Sequence, residues 1–86
     1  MVQANARKMF EKLGYKYNSY KDDPYKADIV YIKTGDIGNK YISFELESNG
    51  EYGVCCDSDY CAELMNIDEL QAAYQQLKEL MGNEVV

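Results

Sequence analysis

The stretch from Lys40 to Cys56 constrains this chain more than any other. From Lys40 to Glu47 apolar and polar residues alternate, with Ile42, Phe44 and Leu46 on one side and Tyr41, Ser43, Glu45 and Glu47 on the other. That is the period-two pattern of a strand with one buried face. A two-residue turn at Asn49 and Gly50 would pair Leu46 with Gly53 and Phe44 with Cys55, leaving Tyr52 and Val54 opposite the glutamates. A type I turn at Ser48 and Asn49, with Gly50 in the left-handed bulge position, shifts the pairing by one residue. Leu46 then meets Tyr52, Phe44 meets Val54 and Ile42 meets Cys56. Because a slip of one residue exchanges the faces of a strand, only this bulged hairpin puts the apolar residues together, and it is the expected one.

A lone hairpin is marginal in water, so the flanking segments must cover its apolar face. Val2, Ala6, Met9, Phe10 and Leu13 recur at helical spacing, predicting a helix from Val2 to Leu13. Gly14 supplies a left-handed cap, and Tyr15 after it folds back on the last turn. Tyr15 to Tyr20 reads as a short strand, broken by Lys21, Asp22, Asp23 and Pro24. Asp28 to Thr34 is a stronger strand, rich in β-branched and aromatic residues. Gly35 to Asn39 forms a loop, and the expected register turns Val30 and Ile32 towards the helices.

The last element has the clearest start, for Asn66 and Glu69 form a capping-box pair and Met65 is placed to staple onto Leu70. Ile67, Leu70, Tyr74, Leu77 and Met81 recur at helical spacing, flanked by Ala73 and Leu80, and are the expected core face. Gln71, Gln75, Gln76, Lys78 and Glu79 line the wet side, and Gly82 ends the helix. The order predicts one α+β domain over residues 1–86. It has an N-terminal helix, an antiparallel meander of three or four strands and a C-terminal helix, with both helices on one face of the sheet.

Composition narrows the chemistry. The 86 residues contain no histidine, the side chain best suited to proton transfer near neutrality and the commonest metal ligand. Hydrolase arrangements built on histidine are thereby excluded, and no spacing singles out a pair among the carboxylates, so an enzyme is not expected. Cys55, Cys56 and Cys61 are odd in number and lack the paired Cys-x2-Cys knuckle of zinc sites. They read as reduced thiols, with Cys56 in the core, Cys55 on the opposite face and Cys61 under the connection. Asp57, Ser58 and Asp59 begin like a calcium loop, but Ala62 stands at the glycine position and Asp68 at the closing glutamate. No phosphate-binding glycine loop is present. No cofactor or metal is expected.

The net charge of −6 is divided unevenly: residues 1–43 carry eight basic and five acidic side chains, residues 44–86 one basic and ten acidic. No apolar run is long enough to span a membrane and no apolar leader precedes the first helix, so the expectation is a cytoplasmic protein with no membrane partner. Nine tyrosines make an exposed aromatic face the main functional candidate. With Val30 and Ile32 inward, Tyr31, Lys33, Tyr41 and Glu45 share the open face of the sheet with Glu47, an amphipathic patch of the kind enriched at interfaces. The expectation is a small interaction module that binds another protein, or a second copy as a homodimer, through the open face or edge of the sheet. Two alternatives are a single-strand nucleic-acid binder stacking bases on the sheet tyrosines and an acidic mimic of nucleic acid. The acidic balance argues against general nucleic-acid affinity.

Met9-Phe10-Glu11-Lys12-Leu13-Gly14-Tyr15-Lys16-Tyr17, the strand Asp28 to Lys33 and the closing helix Ile67 to Leu80 together resemble small uncharacterised proteins carried by prophages and conjugative elements of Gram-positive bacteria. In those, a helix ending in a Leu-Gly-Tyr-like turn precedes tyrosine-rich strands and a final helix. The Cys55–Cys61 segment departs from that pattern. The resemblance implies a mobile-element setting, where accessory interaction proteins are common, and carries no activity or site residue.

Overall fold

A computed structural model of the chain describes residues 5–19 and 29–82. They form helix α1 (Ala6–Lys12), strands β1 (Lys16–Ser19), β2 (Ile29–Gly35), β3 (Gly38–Leu46) and β4 (Tyr52–Ser58), and helix α2 (Ile67–Leu80). The strands make one antiparallel sheet in the order β1-β2-β3-β4, an α+β fold as expected. The expected helix start at Val2, the end of the first strand at Tyr20, the break at Lys21 to Pro24 and the strand start at Asp28 lie outside the described residues.

Both ends of α1 are explained by local chemistry. Asn5 caps it, its side-chain oxygen accepting from the Lys8 N–H, a signal masked in the sequence by the apolar residue at Val2. At the other end Gly14 adopts φ 96°; its N–H donates to the Glu11 carbonyl and that of Tyr15 to the Phe10 carbonyl. This is the Schellman pattern, and it folds the buried Tyr15 ring edge-on to Phe10 with 5.5 Å between centroids. The β3–β4 hairpin has the anticipated register, with Leu46 opposite Tyr52, Phe44 opposite Val54 and Ile42 opposite Cys56. Gly50 takes φ 89° after the turn, its N–H bonded to the Glu47 carbonyl.

The β2–β3 connection differs from expectation. Only Asp36 and Ile37 turn the chain, between the paired glycines Gly35 and Gly38. A loop shorter than Gly35 to Asn39 moves the register by one residue, so Ile29 meets Phe44 and Tyr31 meets Ile42. This slip turns β2 over. Ile29 and Tyr31 face the helices, while Val30 and Ile32, expected inside, lie on the open face.

The core sits between that sheet face and both helices: Phe10 from α1, Tyr15, Ile29 and Tyr31, Ile42 and Phe44, and Ala72 and Ala73 from α2. It is chiefly aromatic. Phe10 stacks on Tyr31 with centroids 4.0 Å apart, and Phe44 meets both rings edge-on. Tyr17 adds a third ring against Tyr31, and the Arg7 guanidinium lies 3.7 Å over Tyr17.

Candidate functional site

The orientation of α2 decides which surface this domain presents. Its capping box is formed as the sequence predicts: Asn66 accepts from the Glu69 N–H at 2.8 Å, and the Glu69 carboxylate accepts from the Asn66 N–H at 2.9 Å. Met65 packs against the core, but Leu70, its expected staple partner, is exposed. The helix is rotated from the expected face. Glu69, Ala72, Ala73 and Gln76 are buried, whereas Ile67 (66% exposed), Leu70 (47%), Tyr74 (65%) and Met81 (60%) point away. Leu77 and Leu80 are half-buried against the core at the edge of this stripe.

Two effects produce the rotation. The aromatic rings of Phe10, Tyr31 and Phe44 already fill the sheet face, so small alanines fit against them better than Leu70 or Tyr74 would. The buried tyrosines also bring hydroxyls, and a buried hydroxyl left without a partner costs about 1–3 kcal/mol. Tyr31 Oη donates to Gln76 Oε1 at 2.6 Å and Tyr15 Oη to Glu69 Oε2 at 2.7 Å. A residue assigned to the wet side by its polarity, Gln76, is therefore drawn into the core.

Glu69 is 3% exposed and ties α2 to β3 and to the α1–β1 connection. Besides the Tyr15 hydroxyl and the Asn66 N–H, it faces Lys40 of β3, whose Nζ lies 3.1 and 3.2 Å from its two oxygens and also donates to the Leu64 carbonyl at 3.2 Å. Burial pushes the Glu69 carboxyl up. The donors from Tyr15, Asn66 and Lys40 outweigh burial and hold it below the ordinary glutamate range. Burial raises the Tyr15 hydroxyl, reinforced by its bond to Glu69, and burial likewise raises that of Tyr31.

The five residues expected to share one patch are divided. Tyr31 is buried on the helix side of the sheet, 1% exposed. Lys33, also on that side, is exposed, with its ammonium 5.6 Å from the Tyr15 ring. Both are displaced by the one-residue slip of β2. Tyr41 and Glu45 do lie on the open face, half-buried. Glu47 lies beyond the end of β3, exposed and close to Gly53, where an added Cβ would meet its carboxylate at 3.2 Å. Tyr41 Oη donates to Asp59 Oδ1 and the Asn39 N–H to Asp59 Oδ2, both at 2.7 Å. These bonds pull the Asp59 carboxyl below its usual range and pin the segment after β4 to the β2–β3 hairpin.

All three cysteines are free thiols. Cys56 is half-buried against the core and Cys55 exposed on the open face, as expected, and both are raised, first by burial and then, for Cys55, by Glu45. Cys61, expected under the connection, is exposed, its Sγ 3.7 Å from Glu63 Oε2. Among the described residues no group of three or more cysteine, aspartate or glutamate side chains is placed to hold a metal ion, and no helix is long and apolar enough to cross a membrane. A cleft of about 390 Å³ between the hairpin tip and the β4–α2 connection is lined by Lys33, Ile37, Lys40, Tyr60 and Cys61. Lys40 is already engaged by Glu69.

The α2 stripe is the surface that sequence reasoning assigned to the interior. Its signal was present in the alanine pair and in Glu69 and Gln76, which recur at the same helical spacing as the apolar residues. No family model, no curated protein and no solved structure matches this chain.

Proposed function

We propose that this chain is a non-catalytic interaction module whose working surface is the outer face of α2, along which an amphipathic helix of another protein chain docks. The observation that carries this reading is the exposure of Ile67, Leu70, Tyr74 and Met81 on one face of one helix. Contiguous apolar patches of more than a few hundred Å² are uncommon on monomeric proteins and mark interaction sites. Apolar side chains at i, i+3 and i+7 are the anchors of helix recognition. The resemblance to small proteins of mobile elements fits an accessory role of this kind. Stacking of bases on the sheet is less well supported, because Tyr31 is buried and Tyr41 shares its face with Glu45 and Asp57.

The test is affinity capture from the native host with the wild-type chain and with Leu70→Glu/Tyr74→Glu, followed by mass spectrometry. A protein recovered by the first and lost from the second is the expected result. Equal recovery by both would refute the assignment of the surface.

A further inference from the structure

We infer that the cavity bounded by α1, the β1–β2 end of the sheet and the C-terminal half of α2 binds a small zwitterion of the α-amino-acid class, its carboxylate held by Arg7 and Gln76 and its ammonium by Glu79 and Glu11. The cavity measures about 550 Å³, and Tyr17 and Tyr31 line it beside those four residues. That volume is in the range of small-molecule sites. Ile67, Leu70, Tyr74 and Met81 are not among its walls, so the inference stands apart from the reading of the outer face of α2.

Gln76 is the key observation. It is only 5% exposed, and Tyr31 Oη takes one end of its amide, donating to Oε1 at 2.6 Å. The other end, Nε2, carries two N–H donors and bonds to no described residue. Among the described residues no fully buried side-chain nitrogen or oxygen lacks a partner, so Nε2 opens into the cavity. The Tyr31 bond fixes the direction of this donor pair, and an acceptor placed there recovers a bond that burial otherwise denies it. Arg7 supplies the matching cation. Its guanidinium rests over the Tyr17 ring, 3.7 Å from the centroid, a contact that holds the group in place and leaves N–H donors at its edge. Among the described residues no carboxylate pairs with it, the one ion pair being Lys40 with Glu69. A guanidinium fork beside an amide donor is the chemistry that recognises a carboxylate.

The acids decide what else the ligand must carry. Arg7 and Lys8 line the cavity against Glu11 and Glu79, two charges of each sign. Glu79 Oε2 is committed to the Ala6 N–H and to Gln75 Nε2, both at 2.9 Å, while its Oε1 bonds to no described residue. The Tyr31 hydroxyl is raised first by burial, then lowered by Arg7 and raised by Glu79 and Glu11. Both signs of charge therefore surround the hydroxyl that holds the Gln76 amide. A simple carboxylate would meet repulsion from the two acids, and a simple amine from the two cations. A molecule that carries both charges suits all of these walls, and the Tyr17 ring offers apolar surface to its side chain.

Protein-observed nuclear magnetic resonance titrations of the full chain with glycine, L-leucine and L-phenylalanine test this. The expected result is a saturable shift of the Gln76 side-chain amide and of the Arg7 signals with at least one of them. The amide and the N-acetyl derivative of that amino acid, each lacking one charge, are expected to bind about 10-fold or more weakly. Gln76→Glu keeps an acceptor for Tyr31 and removes the donor pair, and Arg7→Gln removes the cation from an exposed position. Each is expected to weaken binding by about 10-fold or more with an unchanged circular dichroism spectrum; should Gln76→Glu not fold, Arg7→Gln decides. No saturable shift with any of the three amino acids overturns the site, as do shifts confined to residues outside the cavity. Equal binding of the amide derivative overturns the carboxylate assignment, and equal binding of the N-acetyl derivative overturns the zwitterion.

Discussion

Replacing Glu69 tests the polar centre that sets the orientation of α2. Glu69→Ala removes three interactions of different weight. Loss of its bond to the Asn66 N–H opens half of the capping box, worth about 0.5–1 kcal/mol. The Tyr15 hydroxyl, buried and 2.7 Å from Glu69 Oε2, is left without that acceptor, at about 1–3 kcal/mol. Lys40, whose side chain is 27% exposed, regains water and adds at most about 1 kcal/mol. A loss of about 1.5–5 kcal/mol follows, a large part of the roughly 5–15 kcal/mol that holds a domain together. At about 4–8 °C per kcal/mol for a chain this size, the melting midpoint falls by about 6–40 °C. Glu69→Gln keeps an acceptor oxygen and gives up only the charge, so its cost is about half as large. Urea unfolding followed by circular dichroism at 222 nm measures both, and a double-mutant cycle with Tyr15→Phe isolates the shared bond. A Glu69→Ala protein within about 0.5 kcal/mol of wild type would refute the argument that this carboxylate organises the core.

Three further outcomes follow from the same structure. Because the Glu69 carboxyl is lowered in the fold, its contribution is fully present above the unfolded glutamate range and is lost as pH falls through its depressed value. Wild-type stability should therefore decline below about pH 4.5 more steeply than that of Glu69→Gln in acid unfolding curves. Tyr15 and Tyr31 are raised instead, so their contribution is complete below pH 10 and fades above it; in a spectrophotometric titration at 295 nm these two should ionise only as the protein unfolds, and free titration of all nine tyrosines near pH 10 would contradict their burial. Gly50→Ala meets no atom within 4 Å but must hold φ 89°, so thermal melts should show a loss of about 1–2 kcal/mol from backbone strain alone.

What the sequence made legible was local. The Gly14–Tyr15 cap and the Asn66–Glu69 box each depend on a few neighbouring residues, the Ser48–Gly50 bulged turn on those residues and the alternation of the two strands it joins, and each is present in the fold. The exchanged faces of β2 and α2 share a non-local cause. Ile29, Val30, Tyr31 and Ile32 are apolar or aromatic on both faces of β2, so alternation could not choose between them, and the length of the turn at Asp36 and Ile37 did. Once that slip buries Tyr31, its hydroxyl requires a partner, Gln76 supplies it, and α2 turns its alanines inward. The candidate patch was read wrongly for the same reason: moving β2 by one residue removes Tyr31 and Lys33 from the open face. Hydrophobicity alone placed the α2 stripe inside, because it ranks Leu70 and Tyr74 above Ala72 and Gln76 and takes no account of the volume the aromatic rings already occupy.

Nuclear Overhauser contacts to the ring protons of Tyr31 and Phe44 report the direction in which α2 faces. Contacts from these rings to the methyl groups of Ala72 and Ala73 and to the side chain of Gln76 are expected, with none to Tyr74. Contacts to Leu70 and Tyr74 in their place would contradict it and return the apolar stripe to the core.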